Sequence, residues 1–266
     1  MRLITLGDAV DEMVENAVGR AIDIMYHNMA DQVTLDDMAR AAMFSKFHFS
    51  RVFRKATGVS PGRFLAALRL QEAKRLLLST SLSVTEISQR VGYQSVGTFS
   101  SRFRRSVNMS PSTYRRMGGV TLQVCGTVPR QQPTPNRPAT VHGQIGAPPV
   151  PSGLGKVFVG LFPDRLPQGR PVRCTVLRGP GPFEFGDVPL GTWYLLGYSV
   201  AVDRDKVISG PQDYGNGLYI GSNGPITIRP ETQVRVADLT LRPMNRLDPP
   251  VLLALLDARE LQPTGT

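Results

Sequence analysis

The side chains best suited to act on another molecule are concentrated between Ser45 and Met117. Fourteen cations stand there, Lys46, Arg51, Arg54, Lys55, Arg63, Arg69, Lys74, Arg75, Arg90, Arg102, Arg104, Arg105, Arg115 and Arg116, and the only acids opposing them are Glu72 and Glu86. Fourteen against two leaves +12 in this segment, in a 266-residue chain whose formal charge is +10. Such an excess favours a polyanionic partner, either nucleic acid or an anionic surface. The residues needed for covalent chemistry are not assembled in the same way. His27, His48 and His142 are scattered, and no nucleophile motif, phosphate loop or metal-ligand spacing accompanies them, so neither an enzyme nor a cofactor is expected. Cys125 and Cys174 are far apart and outside any Cys-x-x-Cys, which points to two reduced, structural thiols. Asp203, Asp205 and Asp213 lack the glycine and glutamate spacing of a calcium loop.

The elements that must carry the cations are legible from periodicity. Val10, Met13, Val14, Ala17, Val18, Ala21, Ile22, Ile24 and Met25 recur at helical steps, with Asp8 as the expected N-cap. Thr34 followed by Asp37 opens a second helix with a variant capping box. Ser45 caps a third running to about Thr57, with Phe49, Val52, Phe53 and Ala56 on its inner stripe and Gly58 as its stop. Ser60-Pro61 starts a long helix to about Leu78, roughly 27 Å from end to end.

The pattern then returns. Thr85 to Val91 repeats the second helix and Ser95 to Ser106 the third. Phe99, Phe103 and Pro111 stand 50 residues after Phe49, Phe53 and Pro61, whereas Ile87 stands 49 after Met38, so one residue has been added in the second turn, near Gly92. A duplicated helix pair, each with a basic second helix, reads as two helix-turn-helix units. The four phenylalanines and Val52 belong to the core, and His48 to the surface.

After Met117 glycine and proline become dense. A short strand is expected within Gly118–Thr127, and Pro129 to Pro138 reads as an extended linker. Short β-rich runs follow at 141–145, 156–162, 172–177, 183–188, 192–202, 217–220, 226–228 and 232–241, the signature of an antiparallel sandwich. Asp248 to Leu261 reads as a short capped helix. The fold class is therefore multidomain, α then β: an all-α double helix-turn-helix domain of about seven helices over 1–117, a linker over 118–138, a β-sandwich over 139–247 and a helix with a tail over 248–266. The N-terminus is too short and too quickly acidic for a signal peptide, and no apolar run reaches about 18 residues, so a cytoplasmic protein without a membrane partner is expected.

Phe49-Ser-Arg-Val-Phe-Arg-Lys-Ala-Thr-Gly-Val-Ser-Pro61, with Ile87 through Pro111, gives residues 13–117 a resemblance to the DNA-binding domain of the AraC/XylS family of transcription regulators. That resemblance implies two recognition helices in successive major grooves of double-stranded DNA, bacterial-type activation through RNA polymerase, and sequence specificity. Its reading and backbone positions fall on Lys46, Phe47, Ser50 and Arg51 in the first helix, with Arg54 and Lys55 towards phosphate. In the second they fall on Ser95, Val96, Gly97, Thr98, Ser101, Arg102 and Arg105. Ser101 stands where the family often has arginine and Gly97 has no side chain, so the second helix departs from the family pattern. A nonspecific architectural DNA binder, or an interaction module localised by its DNA-binding part, are the alternatives.

Phe183-Glu-Phe-Gly-Asp-Val-Pro-Leu-Gly-Thr-Trp-Tyr-Leu-Leu-Gly is similar to the prealbumin-like sandwiches of carboxypeptidase-regulatory modules. The expected role of that unit is regulatory, through a small-molecule effector or self-association. Trp193, Tyr194, Tyr198, Tyr214 and Tyr219 are either pocket-lining or, more simply, core.

Overall fold

The computed structural model describes residues 6–119, 139–150, 153–201 and 217–253. Cys125, the linker prolines, Asp203, Asp205, Asp213 and Tyr214 lie outside these residues, as does the expected strand apart from Gly118 and Gly119, which form a turn.

Seven helices come first: α1 (Leu6–His27), α2 (Leu35–Ala41), α3 (Lys46–Thr57), α4 (Pro61–Ser79), α5 (Val84–Arg90), α6 (Val96–Val107) and α7 (Pro111–Arg116). Their ends obey local chemistry, twice over. Thr34 and Asp37 form a reciprocal capping box at α2, and Ser83 and Glu86 repeat it at α5. Ser45 and Ser95 cap α3 and α6 by accepting from the third backbone N–H onward. At the far end, Gly58 and, 50 residues later, Asn108 take the left-handed conformation at φ 78° and 70°. One cap differs from its twin: Ser110 bonds Thr113 N at α7, whereas Ser60 makes no side-chain cap bond at α4. Helix α1 begins at Leu6, two residues before the expected cap Asp8, so Asp8 lies within the helix.

Helix α4 is the axis of this half. Phe64, Leu65, Ala67, Leu68, Leu70, Ala73, Leu76 and Leu77 are all buried, covering most of its circumference, and it packs on α1, α2 and α3 on one side and α5 and α7 on the other. Phe49, Phe53 and Phe64 stack edge to face with centroids 5.4 Å apart, and Phe99, Phe103 and Tyr114 repeat that chain at 5.7 and 5.6 Å. The aromatic positions required for packing thus return with the 50-residue period.

The second half comprises β1 (Ala139–Gly146), β2 (Leu154–Phe162), β3 (Arg173–Leu177), β4 (Pro182–Val188), β5 (Gly191–Ala201), β6 (Leu218–Ile228), β7 (Val234–Val236), β8 (Leu239–Thr240) and β9 (Arg242–Pro243). One sheet runs β4-β1-β7 with β8 also on β1, the other β3-β2-β5-β6-β9. Val141, Ile145, Phe183 and Phe185 from the first face Val157, Val159, Leu161, Leu195 and Ile228 from the second across a common core. Trp193 and Tyr219 pack against this core, while Tyr198, with Tyr194 beside it, belongs to a cluster on the outer face of the larger sheet. The ring positions therefore serve packing, and Trp193 Nε1 donates to Pro189 O.

Three expectations need correction. The sheets are not wholly antiparallel, because β7 and β8 run parallel to β1: the chain leaving β6 arrives along β1's open edge in β1's own direction. The segments expected at 217–220 and 226–228 are one strand, β6, whereas 232–241 is divided between β7 and β8. The helix expected over 248–261 is not formed over 248–253, and its remainder lies outside the described residues. Pro249 and Pro250 hold the chain extended there, and its polar groups bond elsewhere. Leu252 N donates to Pro167 O, while Lys74 Nζ donates to the carbonyls of Val251 and Leu253.

Candidate nucleic-acid interface

Each helix-turn-helix unit presents the outer face of its second helix because the inner face is spent on phenylalanine. In α3, Phe49 and Phe53 are fully buried while Lys46, Phe47, Arg51, Arg54 and Lys55 are exposed and Ser50 is half-buried. Phe47 is 92% exposed, more than any other large apolar side chain among the described residues, as suits a residue that packs on a partner and not on its own fold. Lys46 pairs with Asp36 across the turn at 2.5 Å, whereas Arg51, Arg54 and Lys55 form no ion pair among the described residues. Their charge is therefore available to an external anion, although cations in the last turn, Arg54 and Lys55 here and Arg104 and Arg105 in α6, also suit the negative helix end.

In α6 the outer face is poorer in reach. Val96, Gly97, Thr98, Ser101, Arg102 and Arg105 are all exposed. Ser95 donates its hydroxyl to Thr98 Oγ1 at 2.9 Å and accepts from Thr98 N, so Ser95 is engaged as the helix cap and Thr98 Oγ1 already holds one bond. Arg102 lies beside the Tyr93 phenol, whose pKa is pushed up by burial, with the positive charges of Arg102 and Arg69 opposing. The outward groups that remain are mainly Ser101, Arg102 and Arg105, consistent with phosphate contact more than base reading.

The turns that aim these helices are built alike. Met43 (φ 59°) and Gly92 (φ 79°) occupy the same left-handed position, and Phe44 N and Tyr93 N bond back to Ala39 O and Ser88 O. The 49-residue offset persists to Phe44 and Tyr93, then becomes 50 at Ser45 and Ser95, so Gln94 is the added residue.

Periodicity alone did not reveal what joins the units. Arg69, midway along α4, donates from Nε to Met29 O at 2.9 Å and from Nη2 to Asp31 O at 2.7 Å, tying the loop after α1 to α4. Gly92 sits against that knot: a Cβ there would lie 2.3 Å from Met29 O and 2.7 Å from Arg69 Nη2. Arg115 of α7 donates to the carbonyls of Leu77, Thr80 and Leu82, satisfying the open end of α4. In sequence Arg69 differed from the other cations of α4 only in being flanked on both sides by leucine.

A family model described as a helix-turn-helix domain matches residues 38–117. The lactose operon transcription activator of Staphylococcus xylosus is 31% identical over 104 residues, 39% of this chain and 37% of that one, so the chain spans well under half of that relative. A transcriptional regulator structure from Chromobacterium violaceum, of the proteins containing an AraC-type DNA-binding domain, is 29% identical and covers 39% of this chain and 93% of its own, with a TM-score of 0.38. The DNA-binding domain of AdpA, a global transcriptional factor solved with a target DNA, is 32% identical over 39% of this chain and 90% of its own, with a TM-score of 0.35. Among the described residues no helix is long and apolar enough to cross a membrane. Residues 38–117 are therefore a helix-turn-helix domain, similar in sequence to AraC-type DNA-binding domains.

Proposed function

We propose that the chain is a sequence-specific, DNA-binding transcription regulator acting in the cytoplasm, and that it activates by placing RNA polymerase beside its site. The observation that carries this is the pair of like-built helices, α3 and α6, each with buried phenylalanines inside and, Lys46 apart, outward cations that form no ion pair among the described residues. Lys46, Phe47, Ser50 and Arg51 read bases, with Phe47 suited to a thymine methyl and Arg51 to a guanine edge. Arg54, Lys55, Arg102 and Arg105 hold phosphates, and Val96, Gly97, Thr98 and Ser101 shape a shallower contact flanked by the Ser95 cap. The preferred DNA is an asymmetric site of about 20 base pairs, because the two heads are imperfect repeats on one chain, joined by a helix whose length of about 27 Å is compatible with a spacing near one DNA turn. Residues 1–117 form the reader. The prealbumin-like sandwich over 139–247 is its regulatory module, through a small effector or self-association.

Selection from a random duplex library at about 150 mM salt, with wild type and Arg51→Ala in parallel, tests this reading. An enriched asymmetric site whose preference relaxes at one end in Arg51→Ala supports it. The bare Gly97 and engaged Ser95 favour a second reading, an architectural binder. Tight binding with a steep salt slope and no enriched site selects that one.

A further inference from the structure

The loop between β2 and β3, residues 163–170, does not stay with the sandwich. Asp164 forms an ion pair with Arg63 at the start of α4. The Arg165 side chain lies on Gly58 at the end of α3, with its Cδ 3.1 Å from where a Cβ would stand, and its guanidinium covers the Tyr194 ring at 5.5 Å. Leu166, 3% exposed, is buried in the core of the helical half. Two residues on, Gln168 Oε1 accepts from Ser106 Oγ at 3.1 Å and Gly169 N donates to Ser106 O at 2.6 Å, at the end of α6. One short loop therefore grips the C-terminal ends of both helices described above as reading heads, and a second segment supports it: Leu247 and Leu252 enter the helical core, and Leu252 N holds Pro167 O.

We infer that this loop is a clasp that sets the relative orientation of α3 and α6, so that Asp164, Leu166 and Gln168 are positioning residues of the DNA reader. The inference rests on the proposed reading of α3 and α6 as DNA-contacting helices. A rotation of one unit about α4 would break either the Arg63 or the Ser106 attachment, and the loop is anchored in the sheet through β2 and β3. The sandwich thus belongs to the reader mechanically, and whatever shifts this loop shifts the spacing between reading heads.

Spin labels at Arg40→Cys and Gln89→Cys, both exposed and off the recognition helices, in full-length Cys125→Ser/Cys174→Ser protein report the distance between units by pulsed electron resonance. A narrow distribution in the parent that broadens or shifts in Asp164→Ala/Gln168→Ala is expected, and again in Leu166→Ala. Superimposable distributions in the folded variants overturn the clasp. Since Leu166→Ala removes core contacts, the polar double variant decides if Leu166→Ala does not fold. On the duplex enriched by selection, one base pair inserted between half-sites adds about 3.4 Å and should weaken wild-type binding on the order of tenfold. The clasp variants should lose only about two- to threefold for that insertion, and an undiminished penalty counts against the proposal. If wild type discriminates no duplex at all, the regulator reading fails, while the label distances still decide the clasp.

Discussion

Two glycines five residues apart should respond to alanine in opposite directions. At Gly92 the backbone holds φ at +79°, where an L side chain costs about 1 kcal/mol or more. The added methyl would also lie 2.3 Å from Met29 O, a main-chain atom, so it is the loop after α1 that must move. Arg69 binds that carbonyl and Asp31 O, and losing one charge-assisted bond to a half-buried guanidinium costs about 2 kcal/mol more. Gly92→Ala should therefore destabilise the protein by about 3 kcal/mol, a fall in Tm of roughly 6–12 °C at this chain length. Gly97, in the first turn of α6, has nothing within 4 Å of an added Cβ, and Gly97→Ala should stabilise by about 0.5–1 kcal/mol through reduced backbone entropy. Thermal unfolding followed by circular dichroism at 222 nm reads both. If Gly92→Ala melts within about 2 °C of the parent, the contact between the loop after α1 and the second turn is not what holds the units together.

Met43 occupies in the first unit the left-handed place that Gly92 holds in the second, but it is 77% exposed, so Met43→Gly should raise stability by about 0.5–1 kcal/mol in the same melt. Lys74 is 4% exposed with its ammonium on the carbonyls of Val251 and Leu253, and Lys74→Met should cost about 2 kcal/mol in urea unfolding by leaving them unpaired. Asp37 and Glu86 are held below their ordinary carboxyl values, chiefly by the Thr34 and Ser83 side chains respectively. A depressed native pKa means that their stabilisation is complete above the unfolded carboxylate range and is lost as pH falls through the native values, so the drop in Tm between neutral pH and about pH 3 should be smaller in Asp37→Asn/Glu86→Gln. On the selected duplex, Arg54→Ala should lower the slope of log affinity against log salt by about 0.9, without altering base preference.

How far the sequence could be read depended on the range of the forces involved. Caps, helix lengths and the inward phenylalanines were legible because each depends on neighbours within a turn: Thr34 with Asp37, Ser45 with His48 N, Phe49 with Phe53. The duplication extended that legibility, since residues recurring at 50 must meet like surroundings. For the same reason Lys46, Phe47, Arg51, Arg54 and Lys55 could be assigned outward once Phe49 and Phe53 were assigned inward.

Most strands were legible as β-rich runs, but the partners to which backbone bonds cross the chain were not. The expected helix after Asp248 agreed with local pattern, yet over 249–253 no helix forms, and the carbonyls of Val251 and Leu253 go to Lys74, 177 and 179 residues away in sequence. Strands β7 and β8 pair parallel with β1 because β6 delivers them to a vacant edge, which no local alternation encodes. Arg69 appeared in sequence as one more cation of the basic segment, and only the approach of Met29 and Asp31 makes it a tie between units. By itself the sequence determined which helices form up to Met117 and which faces they bury, since local hydrogen bonds and the burial of apolar stripes decide both. Only the tertiary structure decided how the two helix-turn-helix units are held relative to each other and to the sandwich, because that rests on contacts of Arg63, Arg69, Lys74 and Ser106 with partners tens to hundreds of residues distant.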